Sequence, residues 1–126
     1  MQRIPDQDLE ILEGIVGKQW VSGAPCVLDT YAFYQNPETM NKDGSQWLPR
    51  PAAFVLPQST AEIQEIMRFC CRSQYMVKPI STGFHTAAAA SQKNVIVLDL
   101  KRMNRIIEID AQNQIAVIEP YVRAID

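Results

Sequence analysis

The sequence predicts an α+β fold, in which a strand–helix–strand unit is followed by a further apolar strand and a C-terminal β-hairpin. Three observations carry this expectation. The run Ala52-Ala53-Phe54-Val55-Leu56 is short, apolar and closed by Pro57, as a buried strand is. The next residues, Ser59-Thr60-Ala61-Glu62, have the spacing of a capping box, with the Ser59 hydroxyl accepting from the Glu62 amide and the Glu62 carboxylate reaching back. Ile106 to Asp110 and Ile115 to Glu119 flank the polar stretch Ala111-Gln112-Asn113-Gln114, the signature of a hairpin.

The elements follow in order from the N-terminus. Leu9, Leu12, Ile15 and Val16 recur at helical spacing after the start signals Pro5 and Asp6, and Gly17 is a stop signal. From Trp20 to Arg50, Gly23, Pro25, Asn36, Pro37, Asn41, Asp43, Gly44 and Pro49 punctuate the chain too densely for long elements. The aromatic residues Tyr31, Phe33 and Tyr34 of this stretch lack interleaved basic residues, so they read as loop packing rather than base stacking. After the capping box, Ile63, Ile66, Met67 and Cys70 line one face of a helix, while Glu62, Gln64, Glu65, Arg68 and Arg72 occupy the rest. The acidic start and basic end also suit the helix dipole. Val77 to Ile80 is a second strand, of a length and placement suited to parallel pairing by crossover, and Val95 to Leu100 is a third. The expected organisation is a lead-in of helix and irregular chain over residues 1–50, then the regular domain over 51–126.

Composition narrows the function. At 126 residues the chain is expected to form a single unit that buries about two thirds of its unfolded surface. Hydrophobic content of 47% and charged content of 21% argue against disorder. A net charge of −2 offers no electrostatic basis for nucleic acid. The apolar runs fall far short of the ~20 residues of a spanning helix, so no membrane role is expected. The N-terminus lacks the pattern of a secretory signal, which points to a cytoplasmic protein. Cys26, Cys70 and Cys71 match neither a zinc spacing nor a Cys-x-x-Cys redox pair and read as free buried thiols.

The chemistry-bearing stretch runs from Pro79 to Ser91 and leaves the carboxyl end of the second strand, where ligands bind in open α/β arrangements. Ser81, Thr82 and Thr86 offer hydroxyls, and Gly83 permits backbone conformations that other residues resist. The alanines from Ala87 to Ala90 leave main chain open to close approach. Amides and hydroxyls without lysine or arginine suit a pyrophosphate held by neutral donors. A helical turn over Thr86 to Ser91 would add amides facing the same anion. The same residues also read as an ordinary surface loop followed by a small-residue packing contact. His85, the one histidine, reads on its own as a hydrogen-bonding structural residue.

From Pro51 to Val122 the chain resembles the first part of the FAD-binding domain shared by vanillyl-alcohol oxidase, para-cresol methylhydroxylase (PCMH) and the related flavin-linked hydroxy-acid dehydrogenases. The resemblance is carried by Ala52 to Ile63, by Pro79-Ile80-Ser81-Thr82-Gly83, by Val97 to Asp110 and by Val117-Ile118-Glu119-Pro120. It implies the first subdomain of a PCMH-type FAD-binding domain, not a Rossmann fold. It also implies FAD as cofactor, with Pro79, Ile80, Ser81, Thr82, Gly83, Phe84, His85, Thr86 and Ala87 around the pyrophosphate and Pro120 near the flavin. His85 falls where berberine-bridge-type flavoproteins carry a histidine covalently joined to the flavin, so a covalent bond and a noncovalent contact are both expectations for it.

The chain departs from the family in two places. Phe84 and the alanines stand where relatives carry more glycines, and Tyr121 stands where they read Glu-Pro-Gly-Val. The family continues beyond this stretch with parts that hold the flavin ring and the substrate. A second chain or a further C-terminal region is therefore expected to complete the flavin site, and this stretch alone is not expected to turn over. Two functions follow. One is the FAD-binding portion of an oxidoreductase that oxidises an alcohol, hydroxy acid or alkylphenol by hydride transfer to FAD. The other is a non-catalytic binding or assembly module that keeps the fold without the cofactor.

Overall fold

The computed structural model describes residues 4–31, 50–83 and 94–123. Helix α1 spans Asp6–Val16, and Gly17 ends it at φ 94° with its amide bonded to the Glu13 carbonyl. The start and stop signals of the sequence are therefore the ends of the helix. A 3-10 turn over Lys18–Trp20 leads into strand β1, Val21–Ser22, and the short helix α2, Pro25–Leu28, follows. These elements are two to four residues long, as the density of glycine and proline requires.

Strand β2 is Ala53–Val55, helix α3 is Thr60–Ser73, strand β3 is Met76–Ile80 and strand β4 is Val95–Asp99. The α3 cap differs from the expected box in one bond. The Ser59 hydroxyl accepts from the Glu62 amide at 3.2 Å, but the Glu62 carboxylate turns to the amide of Gln58, at 2.7 Å. Reaching one residue further back still satisfies an amide at the helix start and leaves the carboxylate at the positive end of the dipole. At its other end α3 stops at Gln74 in the left-handed region, φ 58°.

The buried face of α3 also differs from the expected one. Ile66, Phe69 and Cys70 are buried, whereas Met67 is 39% exposed. A buried arc centred on Ile66 takes in its neighbours three and four residues on, and Met67, one residue on, lies about 100° around the helix. Of the cysteines only Cys70 is buried, its thiol pushed up to about 11 by burial, while Cys26 and Cys71 are exposed free thiols.

The main sheet has the order β1-β2-β4-β3, with β1 antiparallel to β2 and both other pairs parallel. The strand–helix–strand unit does produce parallel strands, but β2 and β3 do not pair. Strand β4 lies between them and is buried along its whole length. Its alternation serves two faces: Ile96 and Leu98 join α1 and α3 in the core with Leu12, Val16, Val55, Ile66 and Phe69, and Val95 and Val97 pack on the opposite face with Phe54 and Ile80. An unbroken apolar run is what a strand covered on both faces requires. The lead-in shares this core, since Ile4, Leu12, Val16 and Val21 belong to it and β1 pairs with β2. No helix among the described residues is long and apolar enough to cross a membrane.

After β4, a 3-10 turn over Leu100–Arg102 leads to the hairpin of β5, Ile106–Asp110, and β6, Ile115–Ile118. Its register has an irregularity at Ile107, so Ile106, Ile109, Ala116 and Ile118 share one face and Glu108, Asp110, Ile115 and Val117 the other. Asp110 braces the turn by accepting from the Asn113 amide and side chain, at 3.0 and 2.7 Å. The hairpin is a separate two-stranded sheet, and its isoleucines stand in solvent, Ile107 at 62% and Ile109 at 68% exposure.

Candidate functional site

The site is built where the parallel strands end. Ile80 pairs with Asp99, so the loop after β3 departs beside the corner that follows β4. The hairpin brings the chain back to that corner, because the Glu119 amide donates to the Arg105 carbonyl at 2.9 Å and the Tyr121 amide to the Met103 carbonyl at 2.9 Å. The loop and the segment after the hairpin therefore meet. The Ser81 hydroxyl donates to the Pro120 carbonyl at 2.6 Å, across 39 positions of sequence.

Each partner is held from its own side. Pro79 and Ile80 lie in β3 opposite Leu98 and Asp99. Ser81 and Thr82 form a bend, and Gly83 follows at φ 72° with open space where a Cβ would stand. Only glycine adopts such a φ freely. On the other side, buried Glu119 accepts from Arg105 three times: from the amide at 2.8 Å, Nε at 3.0 Å and Nη2 at 2.6 Å. These bonds hold the Glu119 carboxyl below its usual range, the side-chain bond from Arg105 contributing most and its amide next. Proline at 120 restricts the backbone immediately after that anchored carboxylate.

The corner cations have protein partners. Lys101 Nζ lies 2.8 Å from the carboxylate of buried Asp99, whose other oxygen accepts from the Lys101 amide at 3.1 Å. Arg102 lies 4.0 Å over the Trp20 ring and donates to the Leu56 carbonyl at 2.7 Å and to Gln58 at 2.6 Å. Arg105 is taken by Glu119. Asp99 is thus a turn acid that holds Lys101, and the Met103–Arg105 corner is fastened by Arg105 on Glu119.

Of the residues singled out from the sequence, Pro79, Ile80, Ser81, Thr82, Gly83 and Pro120 are placed at this one corner. Phe84, His85, Thr86 and Ala87 lie outside the described residues. What the sequence reading missed is the clamp of Arg105 on Glu119. The two were legible only as charges flanking a hairpin, and the signal was a carboxylate directly before a proline at the end of an apolar strand.

The donor chemistry fits a pyrophosphate-bearing cofactor. It combines the neutral hydroxyl of Thr82, a positive-φ glycine that leaves space beside the backbone, and cations already engaged with protein groups. Among the described residues no cluster of His, Cys, Asp and Glu has the arrangement of a metal site.

Comparison with known proteins agrees. The FAD binding domain family matches residues 51–126. The flavoprotein subunit of 4-cresol dehydrogenase (hydroxylating) from Pseudomonas putida is 35% identical over 75 residues, which is 57% of this chain and 14% of that protein. Glycolate oxidase subunit GlcD of Bacillus subtilis (strain 168) is 30% identical over 82 residues, covering 64% of this chain and 17% of that protein. Among solved structures, p-cresol methylhydroxylase with substrate bound is similar with a TM-score of 0.78 and 26% identity, over 93% of this chain and 22% of that one. The chain thus spans between 14% and 22% of the length of these relatives. With the match over 51–126 and the fold shared with p-cresol methylhydroxylase, the chain belongs to the FAD binding domain family, in its PCMH-type form, and FAD is the cofactor of that domain.

Proposed function

We propose that this chain is the FAD pyrophosphate-gripping portion of a flavin-dependent oxidoreductase acting on an alcohol, a hydroxy acid or an alkylphenol. The observation that carries the reading is the turn Ser81-Thr82-Gly83, with Gly83 at φ 72°, at the carboxyl end of a parallel strand and bonded to the segment after the hairpin. Thr82 and the main chain at Thr82 and Gly83 hold the pyrophosphate, with Pro79 and Ile80 supporting the turn and Pro120 on the flavin side. Phe84, His85, Thr86 and Ala87, next in the sequence, contribute to the same pyrophosphate site. The chemistry that FAD supplies when bound is acceptance of a hydride from the substrate. Groups that enclose the flavin ring and the substrate come from a second chain or a further region of polypeptide, and the working location is the cytoplasm.

The test is the absorbance of the purified protein in the flavin bands, with added FAD and with the completing polypeptide. Retained yellow colour is the expected result, and colourless protein in the presence of both overturns the reading. Acid precipitation of the yellow protein decides whether His85 is bonded covalently to the flavin: free flavin in the supernatant excludes that bond. A second reading, a binding or assembly module that keeps the fold without the cofactor, is favoured by Tyr121, a half-buried aromatic side chain where the family resemblance implies glycine.

A further inference from the structure

The hydroxyl of Ser81 has a single proton, and at 2.6 Å that proton is directed at the Pro120 carbonyl. A serine donating there presents only lone pairs to anything else, and lone pairs repel phosphate oxygens. We infer that Ser81 is a positioning residue: it latches the cofactor loop to the segment Glu119–Val122 instead of donating to the pyrophosphate, so that binding at the loop and ordering of that segment are coupled. The inference rests on the proposed FAD function for its ligand, but the latch is a property of the chain by itself.

The surrounding bonds show how this hydroxyl carries coupling between the two. Segment 119–122 is fastened to the Met103–Arg105 corner by the Glu119 and Tyr121 amides and by the Arg105–Glu119 clamp, and the Val122 amide closes it on the Glu119 carbonyl at 3.2 Å. All of these bonds stay within the hairpin base and its corner. The Ser81 hydroxyl joins this assembly directly to the turn at Thr82 and Gly83. The hairpin beyond has exposed strands and no core of its own, so its base is held by these few bonds. A ligand held at the turn of Thr82 and Gly83 steadies the segment through Ser81, and by reciprocity a loosened segment weakens the ligand.

Amide hydrogen exchange on the full chain tests this, in wild type, Ser81→Ala and Ser81→Thr, each with and without added FAD. In Ser81→Ala the Tyr121 and Val122 amides are expected to exchange about five- to tenfold faster, as loss of one hydrogen bond implies, with the α3 amides unchanged. Added FAD slows those two amides in wild type and not in Ser81→Ala, and Ser81→Thr, which keeps the donor, restores both effects. Unchanged Tyr121 and Val122 exchange in Ser81→Ala overturns the latch, and if FAD affinity nonetheless falls, Ser81 is a direct ligand. Wild-type chain that binds no FAD even with the completing polypeptide refutes the proposed function, while exchange without FAD still decides the latch.

Discussion

The carboxylate of Glu119 is almost fully buried, at 5% exposure, and accepts both the guanidinium and the amide of Arg105. A carboxyl held in its charged form in the fold has a folded-state pKa below its unfolded value of 4.5. Its contribution to stability is therefore present in full above pH ~4.5 and is lost as the pH falls through the lower folded value. Denaturation midpoints measured from pH 6 to pH 3 are expected to fall more steeply for wild type than for Glu119→Gln, which has no such proton to take up. Parallel curves for the two proteins contradict the clamp.

Tyr75, which follows α3, donates its hydroxyl to Asp8 of α1 at 2.6 Å, and its ring stacks on Phe69 with centroids 5.9 Å apart. Burial and the neighbouring Asp8 push the phenol above its ordinary range. Tyr75→Phe keeps the stack and loses the bond, and urea denaturation is expected to show a loss of about 1–2 kcal/mol. Alkaline titration followed by tyrosine absorbance should find a phenol ionising above the ordinary tyrosine range that is missing from Tyr75→Phe.

Ile66 and Met67 are neighbours on α3 with opposite fates, one wholly buried and the other facing solvent. Ile66→Ala opens a cavity between α3, α1 and β4 and is expected to cost about 2–5 kcal/mol. Met67→Ala, on the exposed arc, is expected to stay within about 0.5 kcal/mol of wild type. Equal losses in chemical denaturation would mean that the buried arc is not centred on Ile66.

Gly83 is strained for other residues by its φ and not by crowding, since nothing stands within 4 Å of an added Cβ. Gly83→Ala is expected to destabilise the chain by about 1–2 kcal/mol, and Gly83→Asn by less, because asparagine tolerates the left-handed region. A loss in Gly83→Asn as large as that in Gly83→Ala, measured by thermal unfolding, contradicts this.

How much was legible follows from the range of each interaction. The stop at Gly17, the Ser59 cap and the run from Val95 are read from a few adjacent residues, because caps, helical spacing and strand runs act within a turn or a strand. The four blocks of the FAD-binding resemblance are likewise local. The place of β4 between β2 and β3 was not legible, since parallel strands of similar apolarity pair in more than one order. Nor was the choice of Phe69 over Met67, which depends on what faces the helix.

The sequence by itself determined the elements, the turn at Gly83 and the family. Only the tertiary structure decided that Ser81 donates to Pro120 and that Arg105 closes on Glu119, and it left the isoleucines of β5 and β6 in solvent. A hydroxyl 39 residues from its acceptor, or an apolar strand that stays exposed, carries no local signal. Its partner is set by where the whole chain has already packed.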